Sequence, residues 1–200
     1  MLIRQLPDQA VLVLLADGAT GEGHGAQAAE CFIRVMSACV VGFAQAADAM
    51  RQGFRLADQM IAAFAEACDT TGIALVVRGD CFVCASVGDS SVFMDDPGGI
   101  VELTLGQHRK PRIGSGIRDP VCREGRVTGP LLLASDGLAM SPEVAFALIQ
   151  ELGGADCAAV PARAVTRQAQ RKGLFDDLAV VVLVGDTPDR GGGPERAFKG

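Results

Sequence analysis

The stretch that decides the fold is LLADGATGEGHGAQAAE, residues 14 to 30. An apolar run from Val11 to Ala16 stops at an acid, Asp17. Glycines follow at 18, 21, 23 and 25, and then an alanine-rich run that reads as helix. Strand, glycine-rich loop and helix, in that order, build many phosphate-binding sites. A loop that only held a phosphate would not set a carboxylate at the end of the strand, so Asp17 needs its own explanation.

The pattern recurs. Asp89 follows CFVCASVG and precedes Ser90. Asp136 follows LLLAS and precedes Gly137, and the pair Asp176-Asp177 precedes LAVVVLV. Four strands each carry an acid at one end. Carboxylates brought from several strand ends to one rim do not all stay ionised unless a cation compensates them. An oxygen-rich set of this kind suits Mg²⁺ or Mn²⁺. The competing reading is turn chemistry, since Asp-Gly is a common turn pair. One such pair would carry no weight; four in this strand context do.

Between these acids the chain reads as strand, two helices, a block of strands, a helical pair and a last strand. Residues 10–16 are a buried strand. Residues 25–41 and roughly 51–68 have helical spacing, with Phe54, Ala57, Ile61, Phe64 and Ala65 on one face of the second helix and Gly42 and Gly53 as punctuation. Residues 72–78 and 81–87 form a hairpin around Gly79-Asp80. Two more strands, 90–94 and 100–104, flank the turn Asp96-Pro97-Gly98-Gly99. The basic, aperiodic segment 106–128 reads as loop, 130–135 as a buried strand, and 142–152 as a helix with Ser141 as N-cap and Pro142 first. A further helix is expected over 161–172 and a strand over 178–184. This is not the alternation of a doubly wound sheet. Hairpins in the middle imply antiparallel sheets covered by helices.

Two hundred residues suffice for one domain with a real core. The expectation is a single domain over 1–185 and an unstructured Gly- and Pro-rich tail over 186–200. The net charge of −6 argues against nucleic acid or an anionic membrane as partner, since both reward clustered cations. No apolar run reaches the ~20 residues of a membrane span, and MLIRQLPDQ lacks the features of a signal peptide. These features, with the seven cysteines read as reduced and buried, make the expected compartment the cytoplasm. Cys81 and Cys84 form a CxxC inside a strand, where the two face opposite sides, so neither zinc nor redox use is expected of them.

Taken in order, LLADGATGEGHGAQAAE, DTTGIALVVRGDCFVCASVGDSSVFM (69–94), LTLGQHRKP (103–111), LLLASDGL (131–138) and FDDLAVVVL (175–183) resemble the metal-dependent serine/threonine protein phosphatases of the PPM, or 2C, type. The resemblance spans about residues 10–184. It implies an α+β fold, a four-layer α-β-β-α sandwich of two antiparallel sheets flanked by helices. It implies two divalent metal ions, Mn²⁺ or Mg²⁺, and a phosphoprotein substrate hydrolysed by a metal-bridged water. Asp17 would bridge both ions, the carbonyl of Gly18 would bind one, Asp136 and Asp176 would ligate the other, and Asp89 would be peripheral. Asp17, Asp136 and Asp176 are then the catalytic set.

The N-terminus departs from the family. Arg4 is the candidate phosphate-binding arginine and Asp8 the candidate acid, but Asp8 lies too near Asp17 for the usual hairpin. The segment between Asp89 and Asp136 is short, which reduces the flap. His24 and His108 are candidate proton donors, weighed against solvent-facing loop histidines. Arg109, Lys110 and Arg112 are candidate phosphate contacts, weighed against a solvated basic loop. Thr70 and Thr71 are expected to cap or pack near the site, and no serine has the setting of a nucleophile elbow. Two rivals stand beside the phosphatase: a phosphatase-like module that binds without turnover, and a nucleotide-binding domain built on Gly23-His24-Gly25-Ala26-Gln27-Ala28. The second lacks the strand with a terminal acid that such a fold requires about 20 residues later.

Overall fold

A computed structural model of the chain describes residues 1–19, 24–136, 141–152 and 179–183. The expected helix at 161–172, the tail, and Asp176 and Asp177 lie outside the described residues. The elements in chain order are β1 (Leu2–Gln5), β2 (Val11–Leu15), α1 (Gly25–Cys39), α2 (Ala46–Ala62), β3 (Gly72–Arg78), β4 (Cys81–Val87), β5 (Ser91–Asp96), β6 (Gly99–Glu102), β7 (Val121–Arg126), β8 (Leu131–Ala134), α3 (Pro142–Leu152) and β9 (Val180–Leu183). They form a five-stranded sheet ordered β1-β2-β3-β4-β7 and a four-stranded sheet ordered β6-β5-β8-β9. Every pairing is antiparallel.

The two-residue period of each strand sorts its side chains between layers. Leu12, Leu14, Ala74, Val76, Val83 and Ala85 face α1 and α2, where Phe32, Met36, Met50 and Phe54 meet them. The alternate residues Val13, Leu15, Ile73, Leu75, Phe82 and Cys84 face the second sheet and pack on Val92, Met94, Leu131 and Leu133. On that sheet's outer face Leu132 and Val182 receive Ala145, Phe146 and Ile149 of α3. The result is helix, sheet, sheet, helix, as the ordered motifs imply. β2 and β8 are apolar throughout, and β3 is apolar up to its last residue, Arg78, because both faces of each sheet are covered.

Burial pushes the thiol of Cys84, which lies between the sheets, up to about 12. At the start of α3 the Ser141 hydroxyl bonds the Glu143 carboxylate and holds its pKa below the ordinary range. Among the described residues no helix is long and apolar enough to cross a membrane.

The structure corrects the sequence reading in three places. Residues 2–5 form strand β1, and 121–126, read as loop, form β7; these are the two edges of the larger sheet. Helix α2 runs from 46 to 62 rather than 51 to 68. Gly53 therefore lies inside it, and its role is close packing rather than punctuation: a Cβ there would lie 2.6 Å from Met36 Sδ on α1.

Candidate active site at the strand-end rim

Strand polarity assembles the site. β2 and β4 both run antiparallel to β3, so they run parallel to each other and end at the same rim. Asp17 follows the first and Asp89 the second. The chain then crosses through Ser90 into β5, whose first residue Ser91 pairs with Ala134 at the end of β8. Asp136 therefore comes to this rim as well. Ala134 in turn pairs with Val180, so β9 begins here. Asp176 lies four residues before that start in sequence and outside the described residues.

Asp17 is held through its backbone. Its carbonyl accepts from Thr71 N at 2.9 Å and from the Thr70 hydroxyl at 2.9 Å. Its own N–H donates to Thr71 Oγ1 at 3.2 Å. Thr71 Oγ1 also lies 3.0 Å from Ser90 Oγ, tying β3 to the crossing between the sheets. Both threonines are buried, so they pack and position as the sequence suggests. Gly18 bridges Thr70, but the bonds of that bridge run through Asp17 and Ala19 on one side and Asp69 and Thr71 on the other. They use neither polar group of Gly18. A Cβ on Gly18 would lie 2.1 Å from the Gly25 carbonyl oxygen, so the first turn of α1 returns directly against this peptide. That close return explains why both positions are glycine.

A cleft of about 270 Å³ opens beside these acids, lined by Asp89, Ser91, Arg109, Ser135 and Asp136 among others. Ser135 is buried, and its hydroxyl accepts from Ala179 N at 3.1 Å, so it fastens β8 to the entry of β9 rather than offering a nucleophile. His108 is exposed on the neighbouring loop, and its carbonyl accepts from Gly88 N at 3.0 Å. His24 pairs through Nε2 with Glu66 at the start of α1.

Arg4 is placed elsewhere. It pairs with Leu12, well back along β2 from Asp17. Its Nη2 donates to the Ser37 and Val40 carbonyls at 2.8 and 3.0 Å, at the C-terminal end of α1. There it satisfies carbonyls that a helix end leaves open. Asp8 accepts from Phe43 N at 2.7 Å, the main reason its pKa is lowered, and pairs with Arg78. Neither residue reaches the rim.

Arg112, one of the three candidate phosphate contacts of the basic loop, is paired with acids of the rim instead. Its Nη2 lies 3.1 Å from Asp89 Oδ2 and its Nη1 3.9 Å from Asp69 Oδ1. Burial works to lower its pKa, but the bond and charge of Asp89, and then the charges of Asp69 and Asp136, raise it above the usual arginine value. The sequence offers it as a phosphate contact or as part of a solvated basic loop; its partner Asp89 is 23 residues away.

The donors suit a hard divalent cation: carboxylates from Asp17 and Asp136 and a Gly18 carbonyl outside the local bridge. Asp89 fits less well, because Arg112 already occupies it. Among the described residues no three potential ligands stand together as a ready site.

No protein-family model matches the chain, and no curated protein does. Solved structures do. A bacterial serine phosphatase superposes with a TM-score of 0.79 at 19% identity, over 93% of this chain and 91% of that one. Stp1 of Staphylococcus aureus, a serine/threonine phosphatase, gives 0.78 at 17% identity, over 92% and 87%. The catalytic domain of the serine/threonine protein phosphatase PstP, in complex with two manganese ions, gives 0.73 at 21%, over 86% of each chain. The architecture is that of bacterial PPM-type phosphatases, and at this identity the likeness is one of fold.

Proposed function

We propose that the chain is a metal-dependent phosphatase acting on phosphoserine and phosphothreonine in proteins. The observation that carries this reading is the arrival of Asp17, Asp136 and the start of β9 at one rim, in the fold that PstP shares. Two divalent ions, Mn²⁺ or Mg²⁺, would be held by Asp17, the Gly18 carbonyl, Asp136 and Asp176. Such ions supply Lewis acidity towards phosphoryl oxygens and lower the pKa of bound water. The protein's own part is to hold these donors still, through Thr70 and Thr71 beneath Asp17 and Ser135 beside Asp136. Phosphoryl transfer depends mainly on such positioning and on charge.

Arg109 is the residue we assign to the substrate phosphate. It lines the cleft that holds Asp136, and among the described residues it has no ion-pair partner. Arg4, by contrast, is committed to α1. Arg109→Ala is expected to raise KM for a phosphopeptide about tenfold with a smaller change in kcat, while Arg4→Ala lowers stability and leaves KM near wild type. The reverse ranking would return the phosphate role to Arg4.

The deciding experiment is hydrolysis of p-nitrophenyl phosphate with Mn²⁺, with EDTA, and with Asp136→Asn. The expected result is activity that requires the ion and falls by more than the ~10–100-fold typical of a lost outer-shell partner. The placement of Arg4 away from the rim favours one second reading, a module of this fold that binds phosphoproteins without turnover. Mn²⁺ and phosphopeptide binding by a wild type that hydrolyses nothing would establish it. No activity and no metal binding would end the carboxylate reading altogether.

A further inference from the structure

We infer that Arg112 is a built-in cation of the rim, taking at Asp89 the place that a peripheral metal ion would otherwise fill. Asp69, Asp89 and Asp136 all act on this one guanidinium. It reaches Asp89 at 3.1 Å and Asp69 at 3.9 Å, with the Arg112 and Asp89 side chains only about one-fifth exposed.

The position is fixed by backbone as well as by charge. Ile113, the next residue, is fully buried and exchanges two 3.0 Å hydrogen bonds with Thr70. Beyond it, Gly114 N and Gly116 N donate to Asp58 Oδ1 of α2 at 2.7 and 3.1 Å. Ser115 donates its hydroxyl to Asp69 Oδ2 at 3.2 Å. Arg112 therefore stands at the anchored start of a strap that runs from the rim to the helical layer. It is not on a free loop that a metal could push aside.

A divalent ion in contact with Asp89 would sit beside a like charge in a partly desolvated place, where repulsion is only weakly screened. Arg112 and an ion at Asp89 thus exclude one another. The arginine acts as a positioning residue: it holds Asp89 and Asp69 whatever the metal concentration, and limits divalent binding to the donors around Asp17 and Asp136.

Counting ions tests this without reference to turnover. Equilibrium dialysis against Mn²⁺, with the metal measured by atomic absorption, is applied to wild type, Arg112→Ala, and Arg112→Ala combined with Asp89→Asn. Arg112→Ala is expected to bind one more ion per chain than wild type, and the double variant to lose that ion. Arg112→Met keeps the side chain's apolar stem and serves the same test should the alanine variant not fold. Equal counts for wild type and the Arg112 variants would overturn the inference, as would an extra ion that survives Asp89→Asn. The inference rests on the metal reading of the rim only for its setting. A wild type that binds no ion beside a variant that binds one at Asp89 would support the role of Arg112 while sinking the proposed two-metal site.

Discussion

Asp17→Asn is expected to leave the protein folded and to remove its metal-dependent hydrolysis. The size of the loss follows from what the ions contribute. Lewis-acid stabilisation of several kcal/mol, at about 1.4 kcal/mol per decade of rate, corresponds to a thousandfold or more. The fold should survive because Asp17 is placed by its backbone. Two bonds to its carbonyl and one from its N–H, all to Thr70 and Thr71, are indifferent to the side-chain substitution. Asparagine has the same shape, and it removes one negative charge from a rim that also carries Asp89 and Asp136. The measurements are a thermal melt, Mn²⁺ binding by calorimetry, and hydrolysis of a phosphothreonine peptide. A melting temperature within a few degrees of wild type with both binding and hydrolysis lost is the expected set. Hydrolysis within tenfold of wild type would remove Asp17 from the catalytic set and with it the explanation of the loop at 14–30.

How far the sequence discloses this structure depends on burial. β2, β3, β4 and β8 are covered on both faces or nearly so, and such strands must be apolar almost throughout. Their runs stand out. β1 and β7 lie at the edges of the same sheet, where one side of the ladder has no neighbour and exposed polar residues are favoured. Four of the six residues of β7, in the sequence VCREGR, are exposed, and no alternation marks them. The acids of the site were legible because each interrupts or ends an apolar run. Their convergence follows from strand polarity, of which the hairpin at Gly79-Asp80 shows only the β3–β4 half; the antiparallel pairing of β2 with β3 supplies the rest. The pairing of Arg112 with Asp89 was not legible. What distinguishes Arg112 from Arg109 three residues earlier is the Thr70–Ile113 bridge, a contact between segments 43 residues apart that no local pattern records. Arg4 misled for the matching reason: its position in the chain suits a phosphate ligand, but the register with Leu12 turns it to the far end of α1.

The largest loss of stability is expected from Phe32→Ala, and it should reach the rim. Phe32 is fully buried on α1, with its ring 5.0 Å from that of Phe54 on α2 in an edge-on arrangement. Truncating a buried phenylalanine costs about 3–5 kcal/mol through lost transfer energy and the cavity left behind. The aromatic pair, worth about 0.5–1.5 kcal/mol of it, sets the cost towards the upper end of that range. Against a typical total of about 5–15 kcal/mol, that is about a quarter or more of what keeps the chain folded. The ring also rests on the start of β3: a Cβ on Gly72 would lie 2.6 Å from Phe32 Cζ. Gly72 follows Thr70 and Thr71, the two residues that hold Asp17. The cavity would therefore open beneath the support of the site, and hydrolysis should fall further than the folded fraction alone accounts for. Urea denaturation, with activity measured well below the transition, separates the two effects. Phe64→Ala is the control, because Phe64 is about one-third exposed beyond the end of α2 and should cost less than about 1.5 kcal/mol. Equal costs for the two variants would mean that the α1–α2 layer is not what seats β3, and that the rim is held from the second sheet through the contact between Thr71 and Ser90.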